Sequence, residues 1–103
     1  MSIIRYCRRD IISETKTVHV FLSGRVQGVG FRAFTRKNAR KLNVNGWAKN
    51  LNDGRVEAVF SGNKEDVDKL VELVKKGPRF AEVDNFEIKY IDNKEFDSFE
   101  IRY

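Results

Sequence analysis

Strand-period and helix-period apolar patterns alternate along the chain in an order that predicts an α+β sandwich: a mostly antiparallel five-stranded sheet with two helices on one face. Three observations carry that expectation. Five stretches alternate apolar and polar residues, two others repeat apolar residues three and four positions apart, and the order is strand, helix, strand, strand, helix, strand, strand. At 103 residues the chain makes one domain, long enough for a single core without metal or disulfide support.

Residues 1–16 mix Ile3, Ile4, Ile11 and Ile12 with Arg5, Arg8 and Arg9 and keep no sustained period, so they read as a flexible N-terminal arm ahead of a domain over 17–103. The first strand follows. Val18, Val20 and Leu22 alternate with His19 and Phe21, which turns His19 to the face opposite Val18 and makes it a surface or edge histidine rather than a catalytic one. From Phe31 to about Asn43, Phe31, Phe34, Thr35, Ala39 and Leu42 share one side at helical spacing and should cover the sheet. Asn38 projects into that stripe, and its sequence position offers no physical reason.

Asn45 to Asn50 reads as the second strand, and Asn52-Asp53-Gly54 has the turn chemistry of a hairpin into a third, Arg55 to Ser61. Val56, Ala58 and Phe60 should share its inner face. Asn63 is an N-cap candidate for a second helix in which Val67, Leu70, Val71 and Val74 fall on one face, with Lys75 and Lys76 near its C-terminal end and Gly77-Pro78 stopping it. Ala81 to Ile91 is the fourth strand, with Phe86, Ile88 and Tyr90 on one face, and Phe99, Ile101 and Tyr103 alternate in the last.

That order is the ferredoxin-like α/β sandwich, β-α-β-β-α-β plus a C-terminal strand. Its first two strands run parallel with the third between them. The loop after strand one and the end of strand two therefore meet at one edge of the sheet, two strand spacings or roughly 10 Å apart.

The formal net charge of +5 permits nucleic acid, an acidic membrane or a small anion as partner, but its distribution is more specific. Between Gly24 and Asn50 stand seven basic residues, Arg25, Arg32, Arg36, Lys37, Arg40, Lys41 and Lys49, and no acidic one. Arg36, Lys37, Arg40 and Lys41 also suit a solvated basic helix face. A single cysteine, Cys7, cannot form an internal bridge, which fits a reducing cytoplasm. No apolar run approaches membrane-spanning length, and arginines interrupt any signal-peptide core at the N-terminus.

The junction between the first strand and the first helix, Gly24-Arg25-Val26-Gln27-Gly28-Val29-Gly30-Phe31-Arg32, is where the chemistry is expected. Three glycines in seven positions admit positive φ and let a ligand approach the main chain, and amides converging at a helix start favour phosphate. Arg32 adds a guanidinium that can take two phosphate oxygens and cannot act as a base. The spacing is neither the dinucleotide nor the P-loop pattern, so on glycine spacing alone a plain redirecting turn stays open. Asn50, taken alone, reads as a turn residue beside the hairpin.

The nonapeptide resembles the first signature of the acylphosphatase family, and Gly46-Trp47-Ala48-Lys49-Asn50 with Gly54, Val56 and Gly62 resembles the second. The resemblance runs from about Thr17 to Tyr103. It implies hydrolysis of an acyl phosphate to a carboxylate and inorganic phosphate. It also implies that residues Gln27, Gly28, Val29, Gly30, Phe31 and Arg32 form the phosphate-binding loop, with Arg32 and Asn50 catalytic and Asn50 orienting a water. A carboxylate leaving group needs no general acid, since its acid has a pKa near ~4, and loop amides with Arg32 supply the positive potential without metal or cofactor. The expected partner is a small anionic acyl phosphate, with neither nucleic acid nor membrane, and the expected state a cytoplasmic monomer.

Two other functions are open to this fold. An RNA platform needs aromatics on the open face of the third strand, where Arg55, Glu57 and Val59 stand instead. A phosphate sensor or a domain of a larger hydrogenase-maturation protein handling carbamoyl phosphate would keep the loop. The end of the sequence straight after its last strand argues for a free-standing enzyme.

Overall fold

β1 (Thr15–Arg25) lies between β4 (Glu82–Ile91) and β3 (Val56–Asn63) in a five-stranded sheet of order β4-β1-β3-β2-β5, completed by β2 (Asn45–Asn50) and β5 (Phe99–Arg102). The structure, a computed structural model, describes residues 14–103. The readings of Ile3, Ile4, Cys7, Ile11 and Ile12 lie outside those residues. β1 opens at Thr15, paired with Asn63, so two residues assigned to the arm belong to a strand. Every strand pairing is antiparallel except β2 with β5.

The alternation sorts the two faces as expected. Val18, Val20 and Leu22 sit opposite Phe60, Ala58 and Val56, and all six are buried on the helix side. α1 (Phe31–Lys41) packs on β2 and β5, and α2 (Lys64–Lys76) on β1, β3 and β4. Phe60 and Phe99, with ring centroids 6.0 Å apart, fill the space beneath them. Gly46 has φ 139°, and a Cβ there would overlap the Val59 carbonyl of the adjacent strand, so no other residue fits.

Local chemistry sets the helix ends. The Asn63 side chain accepts from the Glu65 N–H at 3.2 Å, and Val67, Leu70, Val71 and Val74 form the buried face of α2. α1 stops at Lys41, two residues short of the expected end. Asn43, at φ 57°, and Val44 return N–H bonds to the Arg40 and Ala39 carbonyls, a Schellman closure with Asn in the left-handed position. Phe31, Thr35 and Ala39 are buried, while Phe34 and Leu42 lie at the stripe's margin. Asn38 is half-buried because its amide donates to the Phe34 carbonyl at 2.9 Å, the partner that the sequence alone did not reveal.

Two aromatics depart from the inward pattern. Tyr90 pairs opposite Val18 but lies on an edge strand, 68% exposed, with the Lys16 Nζ 4.5 Å from its ring centre. Tyr103 lies beyond the end of β5 and is 93% exposed.

Candidate active site

The β1–α1 junction is built from two left-handed glycines and a buried anchor. Val26 is buried and donates its N–H to the Gly24 carbonyl at 3.0 Å, turning the chain out of β1. Gly28 and Gly30 then take φ 76° and 77°, and a Cβ on either would meet no other group within 4 Å. The glycines are thus demanded by backbone conformation, and the space before them is open. Gly30 caps α1 without any side-chain bond, and the first turn holds no acidic residue. Among the described residues, none of the N–H groups of residues 27–33 has a hydrogen-bond acceptor. An uncapped helix start with its amide donors unfilled favours an anion.

Those amides border a hollow of about 340 Å³ lined by Val26, Gly28, Gly30, Phe31, Arg32, Ala33, Arg36, Asn50, Ile101 and Tyr103. Arg32 and Asn50 therefore share one cavity. The sheet explains why: Leu22, Val56 and Asn50 form one cross-strand row, and Asn50 has the same parity as Ala48, which is buried on the helix side. As the last residue of β2, Asn50 lies past the covered part of that face and opens into the hollow. The Arg32 Nη1 donates to the Arg102 carbonyl at 3.4 Å, and its guanidinium carbon lies 4.9 Å from the Tyr103 ring centre. No lining residue is acidic.

Of the six expected loop residues, Gly28, Gly30, Phe31 and Arg32 line the hollow, while the side chains of Gln27 and Val29 do not. Val29 packs against the core. The Gln27 Nε2 donates to the Leu51 and Arg55 carbonyls at 2.8 and 2.9 Å, clamping the loop to the β2–β3 hairpin beside Asn50. The hairpin itself closes through Leu51 and Arg55, and Asn50 takes no part in those bonds. Sequence reasoning missed Val26, Ala33, Arg36, Ile101 and Tyr103. For Arg36 a signal existed, since it stands one helical turn after Arg32 and so projects from the same face.

His19 is far from this site in role and direction. Its Nε2 lies 2.7 Å from the Glu57 Oε2 on the open face of the sheet, beside Phe21 and Trp47. That face has aromatics from β1 and β2 as well as the Glu57 and Val59 read from β3. Their rings are already covered, by Arg55 over Phe21 and Arg102 over Trp47, each 4.8 Å from the ring centre. Bases would have to displace those cations to stack. Among the described residues no three His, Cys, Asp or Glu side chains are grouped to hold a metal ion, and no helix is long and apolar enough to cross a membrane.

The acylphosphatase family profile matches residues 18–101. An acylphosphatase of Haloarcula marismortui is 52% identical over 85 residues, covering 82% of this chain and 93% of the relative. Among solved structures, an acylphosphatase from Coxiella burnetii superposes with a TM-score of 0.82 at 39% identity, covering 85% of this chain and 93% of the other. One from Bacillus subtilis gives 0.82 at 37%, covering 85% and 99%.

Proposed function

The chain belongs to the acylphosphatase family and hydrolyses the carboxyl-phosphate bond of acyl phosphates, and we propose that it does so with Arg32, the loop amides and an Asn50-held water. The observation that carries this reading is the hollow that Gly28, Gly30, Arg32 and Asn50 line together.

The non-bridging phosphate oxygens sit against the amides of residues 28–32 and the Arg32 guanidinium. These donors are fixed in place before substrate arrives, and they act on charge shared among the equatorial oxygens. The Asn50 carboxamide oxygen accepts a hydrogen bond from a water aligned opposite the acyl oxygen. The water oxygen bonds to phosphorus as the bond to the acyl oxygen breaks, and the electron pair leaves with the carboxylate. The water's proton passes to a phosphate oxygen, because an amide is a poor base. Gln27 acts at one remove, holding the hairpin that follows Asn50. A reducing cytoplasm belongs to the same reading and rests on the lone Cys7; the chain is read as a monomer, which light scattering of the purified chain measures.

Two substitutions test the assignment. Asn50→Ala should lower kcat on benzoyl phosphate by about a hundredfold or more while the inhibition constant of inorganic phosphate stays within about twofold. Arg32→Gln should weaken phosphate and suppress turnover together. Parent-like turnover in Asn50→Ala would remove the water-holding role.

A further inference from the structure

Three arginines stand at i, i+4 and i+8 along α1, and they are not equivalent. Arg32 reaches the Arg102 carbonyl at 3.4 Å and Arg40 reaches the Phe99 carbonyl at 3.5 Å, so the two outer members of the row lie along β5. Arg36, between them, lines the hollow with Ala33, Ile101 and Tyr103. Among the described residues it pairs with no carboxylate and donates to no carbonyl. A guanidinium with five donors directed at a cavity without acidic lining offers a second anion position.

We propose that Arg36 is an acyl-side anion subsite, selecting acyl phosphates whose acyl group carries a further carboxylate or phosphate. The inference rests on the phosphate placement proposed above. With the transferred phosphate at the N-terminus of α1, four residues, about 6 Å of rise, separate the Arg32 and Arg36 positions along the axis. The acyl group leaves the phosphate on the side away from the water, between the small Ala33 and the Ile101 side chain. A substituent at the far end of a short or ring-sized acyl group then falls within reach of Arg36. Two N–H bonds from the guanidinium to that substituent fix the acyl group against α1. Uncharged acyl groups gain nothing there.

The test uses the full chain and three substrates: benzoyl phosphate and its meta- and para-carboxylated forms, with each rate divided by that substrate's uncatalysed hydrolysis rate. The quantity read is the ratio of kcat/KM between a carboxylated substrate and benzoyl phosphate. The parent should favour at least one carboxylated isomer by about fivefold to tenfold, the range for a partly exposed charged pair with paired hydrogen bonds. Arg36→Gln should bring that ratio to about one, Arg36→Glu should invert it, and Arg36→Lys should restore part of it, because charge survives while the paired geometry does not. A ratio near one in the parent, or a ratio that Arg36→Gln leaves unchanged, overturns the proposal. An equal loss on all three substrates also overturns it, and would make Arg36 a stabiliser of the departing carboxylate or of the fold; thermal melting of each variant separates those two. Failure of the phosphate reading appears elsewhere, as an unchanged inhibition constant of inorganic phosphate in Arg32→Gln, and leaves the substrate ratio free to report on Arg36 alone.

Discussion

Both amide hydrogens of Gln27 point to carbonyls of the hairpin, one on Leu51 and one on Arg55, and Leu51 directly follows Asn50. The residue therefore sets a distance between two parts of the site instead of touching the ligand with its side chain. Gln27→Leu keeps similar volume and removes both donors, leaving the Leu51 carbonyl with the Gly54 N–H alone and the Arg55 carbonyl with the Leu51 N–H alone. Losing those bonds should destabilise the fold by about 1–3 kcal/mol, read as a lower urea midpoint at constant m. It should also reduce kcat more than it raises KM, since the water and not the phosphate loses its position. An unchanged midpoint with unchanged kcat would mean the clamp is idle. At this scale the sequence was only partly legible. A glutamine in a glycine-rich loop has the same type whether it faces a ligand or a hairpin, and only the folded β2–β3 turn decides between them. Asn50 behaves alike: by composition it belongs to a turn, and its parity with Ala48 and the end of β2 make it a wall of the hollow.

Elements were more legible than side-chain partners, because burial on one face writes a period into the chain whereas a hydrogen bond need not. Val18, Val20 and Leu22 announced β1, and Val67, Leu70, Val71 and Val74 announced α2. What the period hid were polar continuations: Thr15 and Lys16 extend β1 without apolar alternation, and Lys16 is held by a contact from another element. Its Nζ donates to the Asp68 Oδ1 of α2 at 2.6 Å, and that hydrogen bond to the carboxylate raises the Lys16 pKa above its ordinary value despite partial desolvation. A raised lysine pKa stabilises the fold at pH values below the unfolded value and ceases to do so as pH climbs through the folded one. The melting-temperature difference between the parent and Lys16→Met should thus be constant near neutrality and shrink above about pH 10.4. Its size should be small, on the order of 1 kcal/mol or less, because Asp68 is half exposed. A difference that does not change up to pH 11.5 would show that the pair does not link β1 to α2.

Across the molecule the charge is placed as the fold requires. The seven basic residues between Gly24 and Asn50 outnumber the net charge of +5, so the remainder of the chain is slightly acidic, and the positive field is centred on the segment that holds the hollow. An anionic substrate approaching that segment is drawn by Lys37 and Lys41 as well as by the arginines in the cavity, although both lysines are exposed and neither lines it. Such attraction acts over a Debye length, which contracts from about 30 Å at 0.01 M salt to about 8 Å at 0.15 M. It governs capture more than the chemical step, which takes place against fixed donors inside the hollow. Raising ionic strength over that range should therefore lower kcat/KM for benzoyl phosphate severalfold while kcat changes little. Replacing Lys37 and Lys41 together by Glu should flatten the salt dependence and lower kcat/KM at low salt, again with kcat nearly kept. If the double variant retains the parent's slope, the field that matters is confined to Arg32 and Arg36, and the outer charges of α1 serve only its solubility.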